Sequence, residues 1–181
     1  MSLFSATLYT GICLVIFSVY TLFYEEYAER LLKAFPRSRT AAISLMAIAI
    51  IWFSFKIYSL GPADFGNYKN ILLVIFLSIT LLSFYYVPDF LSVRALAGIF
   101  LLISDALLGA AFLQEPSSRL FLVTFTYFLI LFAFVIGASP YLMRDLINWS
   151  YAKKTRIQIL SLLLLGYGIT LIYITFNYNN V

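Results

Sequence analysis

Six apolar runs, each about 20 residues long and divided by short punctuated connections, decide what this chain can fold into. An α-helix rises about 1.5 Å per residue, so a run of that length crosses a hydrocarbon core about 30 Å thick. The runs occupy 6–23, 41–60, 71–87, 92–113, 120–138 and 157–176. Gly61-Pro62 stops the second run, Pro88-Asp89 parts the third from the fourth, and Glu115-Pro116-Ser117-Ser118 parts the fourth from the fifth. Ser139-Pro140 ends the fifth; proline and its preceding residue are poor continuations of a helix. Of the 181 residues, 63% are hydrophobic and 11% charged, and a soluble fold of this size leaves too much surface exposed to hide that apolar area. The expectation is an all-α polytopic transmembrane bundle: a single membrane domain over 1–181 with six transmembrane helices and two amphipathic interfacial ones.

Basic residues set the expected orientation, because cytoplasmic connections are enriched in Lys and Arg. Connections 1–2, 3–4 and 5–6 carry Arg30, Lys33, Arg37, Arg39, Arg94, Arg144, Lys153, Lys154 and Arg156, whereas the opposite side has Lys56, Lys69 and Arg119. Both termini are therefore expected on the non-cytoplasmic side. The net charge of +4 is explained by this asymmetry, and no basic stretch is interleaved with the polar, aromatic surface that nucleic acid binding needs. No Lys or Arg precedes Glu25, so the first run lacks the basic flank of a cleavable signal and is expected to stay in the mature protein. Histidine is absent, which excludes haem, pigment or metal ligation through imidazole and any triad built on it. The lone Cys13 reads as a small buried hydrophobe. No metal, cofactor or catalytic motif is read.

Two of the basic connections have helical periodicity. Tyr24, Tyr27, Ala28, Leu31, Leu32 and Phe35 recur at intervals of three and four, with Glu25, Glu26, Glu29, Arg30 and Lys33 on the other face. That pattern predicts an interfacial amphipathic helix over 24–35. A second is predicted over 141–151, where Leu142, Met143, Leu146 and Ile147 oppose Arg144, Asp145 and Asn148. The plan of membrane run, surface helix, basic cluster and membrane run thus occurs twice, as hairpin unit 1 over 6–60 and hairpin unit 2 over 120–176. A central hairpin over 71–113 lies between them. A shift of 115 residues sets Leu31 on Leu146, Thr40 on Thr155, Leu45 on Leu160 and Ile57 on Ile172.

The segments YEEYAERLLKAFPRSRTAAISL (24–45) and SPYLMRDLINWSYAKKTRIQIL (139–160), with their flanking apolar runs, each resemble the YjeT-type small bacterial membrane proteins. Those are two helices joined by an amphipathic, basic linker. The resemblance implies a bacterial inner-membrane protein and carries no activity.

Asp105 is the one acidic residue inside a predicted span. A carboxylate at mid-bilayer costs about 2.5–3.5 kcal/mol on insertion scales and is normally met by a partner or by water. Ala95, Gly98, Leu102, Asp105 and Gly109 share one helix face, and small residues on such a stripe let another helix approach, with Ala95, Gly98 and Gly109 as the expected packing positions. Lys56 lies about 22 Å, and Asp105 about 20 Å, from the cytoplasmic ends of their runs at about 1.5 Å per residue. Ser78 and Thr80 reach similar depth. A polar cluster of Asp105, Lys56, Ser78 and Thr80 is one expectation. The other has Lys56 snorkelling to the interface and Asp105 protonated.

Two functions are compatible with these residues. The first is a non-catalytic accessory or scaffold subunit of a larger membrane complex, in contact with lipids and other membrane subunits, to which 18 Phe and 14 Tyr offer packing surface. The alternative is a small transporter or channel using Asp105 as an ion or proton site.

Overall fold

The computed structural model describes residues 1–86 and 89–178. Among them the chain is all-α: eight α-helices and three 3-10 turns. Six helices are long and apolar enough to cross a membrane. They are α1 (Leu3–Phe23), α3 (Arg39–Tyr58), α4 (Lys69–Tyr86), α5 (Leu91–Ala111), α6 (Arg119–Ala138) and α8 (Lys154–Asn177). The amphipathic segments form α2 (Glu25–Ala34) and α7 (Tyr141–Tyr151). The expected end of the third run at Val87, and Pro88 after it, lie outside the described residues.

Local chemistry sets the boundaries. Ser2 is extended and its hydroxyl accepts from the Ser5 N–H at 3.2 Å, satisfying one of the free donors at the start of α1. Ser38 does the same for α3 through the Ala41 N–H, also at 3.2 Å. Tyr24, at φ −118° and ψ 46°, breaks the helical path between α1 and α2. Pro36 sits in the first turn of the 3-10 segment Phe35–Arg37, where its missing N–H costs no hydrogen bond.

The most extensive helix contact joins α1 to α8, the two ends of the chain. The pair is antiparallel, since Phe4 meets Phe176 edge-on at 6.5 Å while Thr21 and Ser161 share a buried hydrogen bond of 2.8 Å at the other end. Between these points Gly11 faces Gly168. A Cβ added to Gly11 would stand 2.9 Å from the Gly168 carbonyl oxygen, and one on Gly168 would stand 3.0 Å from that of Gly11. Backbone-to-backbone approach of this kind is the use of small residues between apolar helices.

α5 is the centre, touching α1, α3, α6 and the Phe35–Arg37 turn, and ten of its residues are buried. Its packing face runs Val93, Ala97, Phe100, Ser104, Leu107, Ala111. Val93 and Ala97 meet Ala133 and Ile136 of α6 at one end. Leu107, Ala110 and Ala111 meet Leu3, Ala6 and Leu122 at the other. This corrects the expected packing stripe. Ala95 is buried, but Gly109 is exposed, and a Cβ added at Gly98 or Gly109 would meet nothing within 4 Å. Periodicity locates a small-residue face; it does not say which face a neighbour will take.

The helices of the two sequence hairpins do not pair chiefly with each other. α1 takes α8 as its main neighbour, and α5 stands between α3 and α6. Helix α4 has no buried residue, and its main contact among the long helices is with α3. Cys13 is exposed on α1, not buried as its apolar surroundings suggested.

Buried hydroxyls are satisfied locally, with Thr7, Ser18, Ser104, Thr126, Ser150 and Thr175 each donating to the carbonyl four residues earlier.

Candidate functional site

α3 and α5 run side by side in the same direction, held at two levels. Near their starts the Ser92 hydroxyl donates to the Phe35 carbonyl at 2.8 Å. Near their ends the Lys56 ammonium meets the Asp105 carboxylate in an ion pair. Lys56 falls in the last turn of α3, and Asp105 lies six residues before the end of α5. Of the two sequence expectations, the geometry has the paired arrangement rather than a snorkelling lysine.

The pair opens onto a cleft of about 480 Å³ walled by α3, α4 and α5. Its lining is apolar apart from Lys56, Asp105, Ser54 and Thr80. Phe53 of α3 and Phe76 of α4 meet edge-on inside it, with centroids 4.6 Å apart, one of the contacts that join α4 to α3. Thr80 lies on the α4 wall and its hydroxyl donates to the Phe76 carbonyl at 2.8 Å, leaving its oxygen free to accept. Ser78 is exposed on α4 and outside the lining, so the four-residue cluster reduces to Asp105 with Lys56, faced by Thr80. Two successive α4 positions of the same parity differ by about 200° around a helix, which separates them. Gly98 and Leu102, expected at a helix contact, instead line the cleft beside Asp105.

The basic residues gather at the opposite end of the molecule, where α2 touches α7. Lys33 pairs with Glu29 at 2.6 Å one turn earlier. Lys154, at the start of α8, reaches Glu25 at the start of α2 at 3.4 Å, tying the first amphipathic helix to the last long one. The Arg144 guanidinium lies 6.0 Å from the Phe90 ring centre and pairs with Asp145 at 2.8 Å. Arg156 stacks over Trp149 at 4.7 Å. Arg30, Arg37, Arg39 and Lys153 are exposed. The Tyr151 hydroxyl is buried without a hydrogen-bond partner, and burial, then the charges of Glu29 and Glu25, raise its pKa above the usual phenol value.

Three features escaped sequence reasoning: the Gly11–Gly168 crossing, the Glu25–Lys154 pair and the Phe53–Phe76 contact. Each joins residues from different helices, and spacing within one helix carries no signal for the partner. Among the described residues, no three His, Cys, Asp or Glu side chains gather in a metal-holding group. Comparison with known protein families, with curated proteins and with solved structures finds no match to this chain.

Proposed function

We propose that this chain is a polytopic protein of a bacterial inner membrane, with both termini on the non-cytoplasmic side, acting as a non-catalytic subunit that assembles with other membrane proteins. The observation that carries this reading is α4. It is apolar on every side and buries nothing within the chain. Val74, Ile79, Leu81, Leu82, Tyr85 and Tyr86 all stand exposed along it. A helix that buries none of its residues against its own chain leaves most of its surface to a neighbouring subunit, and close packing is one of the forces that join membrane helices. The inner-membrane assignment rests on the resemblance of 24–45 and 139–160 to YjeT-type proteins. The orientation rests on the excess of Lys and Arg at the α2–α7 end.

The test is purification of the tagged chain from its native membrane in mild detergent. The expected result is one further membrane polypeptide in fixed stoichiometry. A chain that elutes alone, at the mass of one copy plus micelle, overturns the subunit reading.

The ion pair in the cleft favours a second reading, a small transporter with Asp105 as its charged site. An intramembrane carboxylate is costly to keep, and this one faces a cavity rather than a packed helix.

A further inference from the structure

The cleft between α3, α4 and α5 holds a single ion pair in an otherwise largely apolar lining. We infer that it binds monovalent lipophilic cations, such as hydrophobic amines and quaternary onium ions, by exchange of the Lys56 ammonium for the ligand's charge at Asp105. The inference gives a ligand class to the second reading above and rests on the same site. Its test reads binding separately from transport.

Size comes first. A volume of about 480 Å³ lies within the range of small-molecule sites, and the lining is almost wholly apolar with few polar groups, as such sites are. Access follows from α4, which leans on α3 and makes no extended contact with α5, so the cleft opens sideways between them. A ligand dissolved in the bilayer reaches it without passing through water.

Charge decides the rest. The cleft holds one anion and one cation, already in contact. A ligand anion would draw Lys56 away and leave the Asp105 carboxylate unpaired, on a short side chain six residues inside the end of α5. That is the costly arrangement in hydrocarbon. A ligand cation would instead keep Asp105 paired and release Lys56. The lysine sits two residues before the end of α3, and its four-carbon stem can carry the ammonium to the interface, where it is readily accommodated. Exchange is therefore asymmetric, and it favours cations. The Phe53 and Phe76 rings add apolar and π surface in the same cleft, which suits a positive charge spread over a greasy body. The Thr80 oxygen supplies an acceptor on the facing wall. In the unliganded protein, Lys56 occupies the place of the ligand's charge.

Two probes of one shape and opposite charge make the test: radiolabelled tetraphenylphosphonium and tetraphenylborate, measured by equilibrium dialysis on the purified full-length chain in neutral detergent. The wild-type protein is expected to bind the phosphonium saturably, near one per chain, and to show no saturable binding of the borate. Asp105→Asn should weaken phosphonium binding by tenfold or more. Lys56→Met should tighten it severalfold, because the competing ammonium is gone; a role confined to holding the helices together would weaken it instead. Borate binding that exceeds phosphonium binding, phosphonium binding unchanged in Asp105→Asn, or no saturable phosphonium binding at all would each overturn the inference. The wild-type comparison needs no variant, so it stands even if a substitution impairs folding. Saturable binding without uptake into liposomes would uphold the site and remove the transport reading.

Discussion

A methyl group is enough to separate the two kinds of glycine in this chain. At Gly11 and Gly168 the added Cβ would run into the opposing backbone, at 2.9 and 3.0 Å, and backbone cannot swing aside as a flexible side chain can. At Gly98 and Gly109 the same methyl would meet open space. Gly11→Ala or Gly168→Ala should therefore force α1 and α8 apart and lower stability by about 1–3 kcal/mol, the usual cost of overpacking. Gly98→Ala and Gly109→Ala should be neutral or slightly stabilising, since alanine is the better helix former by up to about 1 kcal/mol. Thermal unfolding of the four variants in detergent checks this. Equal losses at all four positions would show that the α1–α8 crossing is not where the chain is tightest.

Helices differ in how much of their surface the chain itself claims. α5 is surrounded, α1 and α8 claim each other, and α4 is attached along one edge by contacts such as Phe53 with Phe76. Apolar character does not produce this ranking, because α4 and α5 have nearly the same mean hydropathy. Small residues do. Ala95, Ala97, Ala110 and Ala111 let neighbours close on α5, whereas α4 presents Leu, Ile, Phe and Tyr on all sides and contains neither Gly nor Ala. If the exposed side of α4 meets another subunit, a photoreactive residue at Leu81 or Tyr85 should crosslink to a second polypeptide in native membranes. The same residue at Leu163, exposed on α8, should give lipid adducts. Lipid adducts from all three positions would count against a partner at α4.

At the scale of the whole molecule, the chain has a charged end and an uncharged flank. α2, α7 and the starts of α3 and α8 bring the basic residues to one end, while Lys56 and Arg119 lie toward the other. Reporter fusions should read this out: in a bacterial host, a fusion after Leu60 should report the non-cytoplasmic side and one after Ala152 the cytoplasm. The reverse pattern would invert the orientation and place the cleft in the inner leaflet. The apparent duplication also looks different at this scale. The two hairpin units interlock through α1 with α8, and α5, which belongs to neither, fills the gap between α3 and α6.

Every long helix, and both amphipathic ones, was legible in the sequence to within about three residues, a little more than the one or two by which helix ends ordinarily scatter. Hydrocarbon-length apolar runs, proline punctuation and a 3.6-residue periodicity are properties of consecutive residues, and they act before any helix meets another. The depth match of Lys56 with Asp105 was legible for the same reason, because rise per residue is fixed. Ser78 was misplaced and Gly98 and Gly109 were given the wrong neighbour, because rotation about a helix axis relative to its surroundings is set only when helices pack. Which glycines touch, which helix stands at the centre and which is left uncovered were decided by tertiary structure. Between apolar helices of similar hydropathy, the choice of neighbours rests on close backbone approach and complementary shape, and these belong to pairs of surfaces rather than to any one stretch of chain.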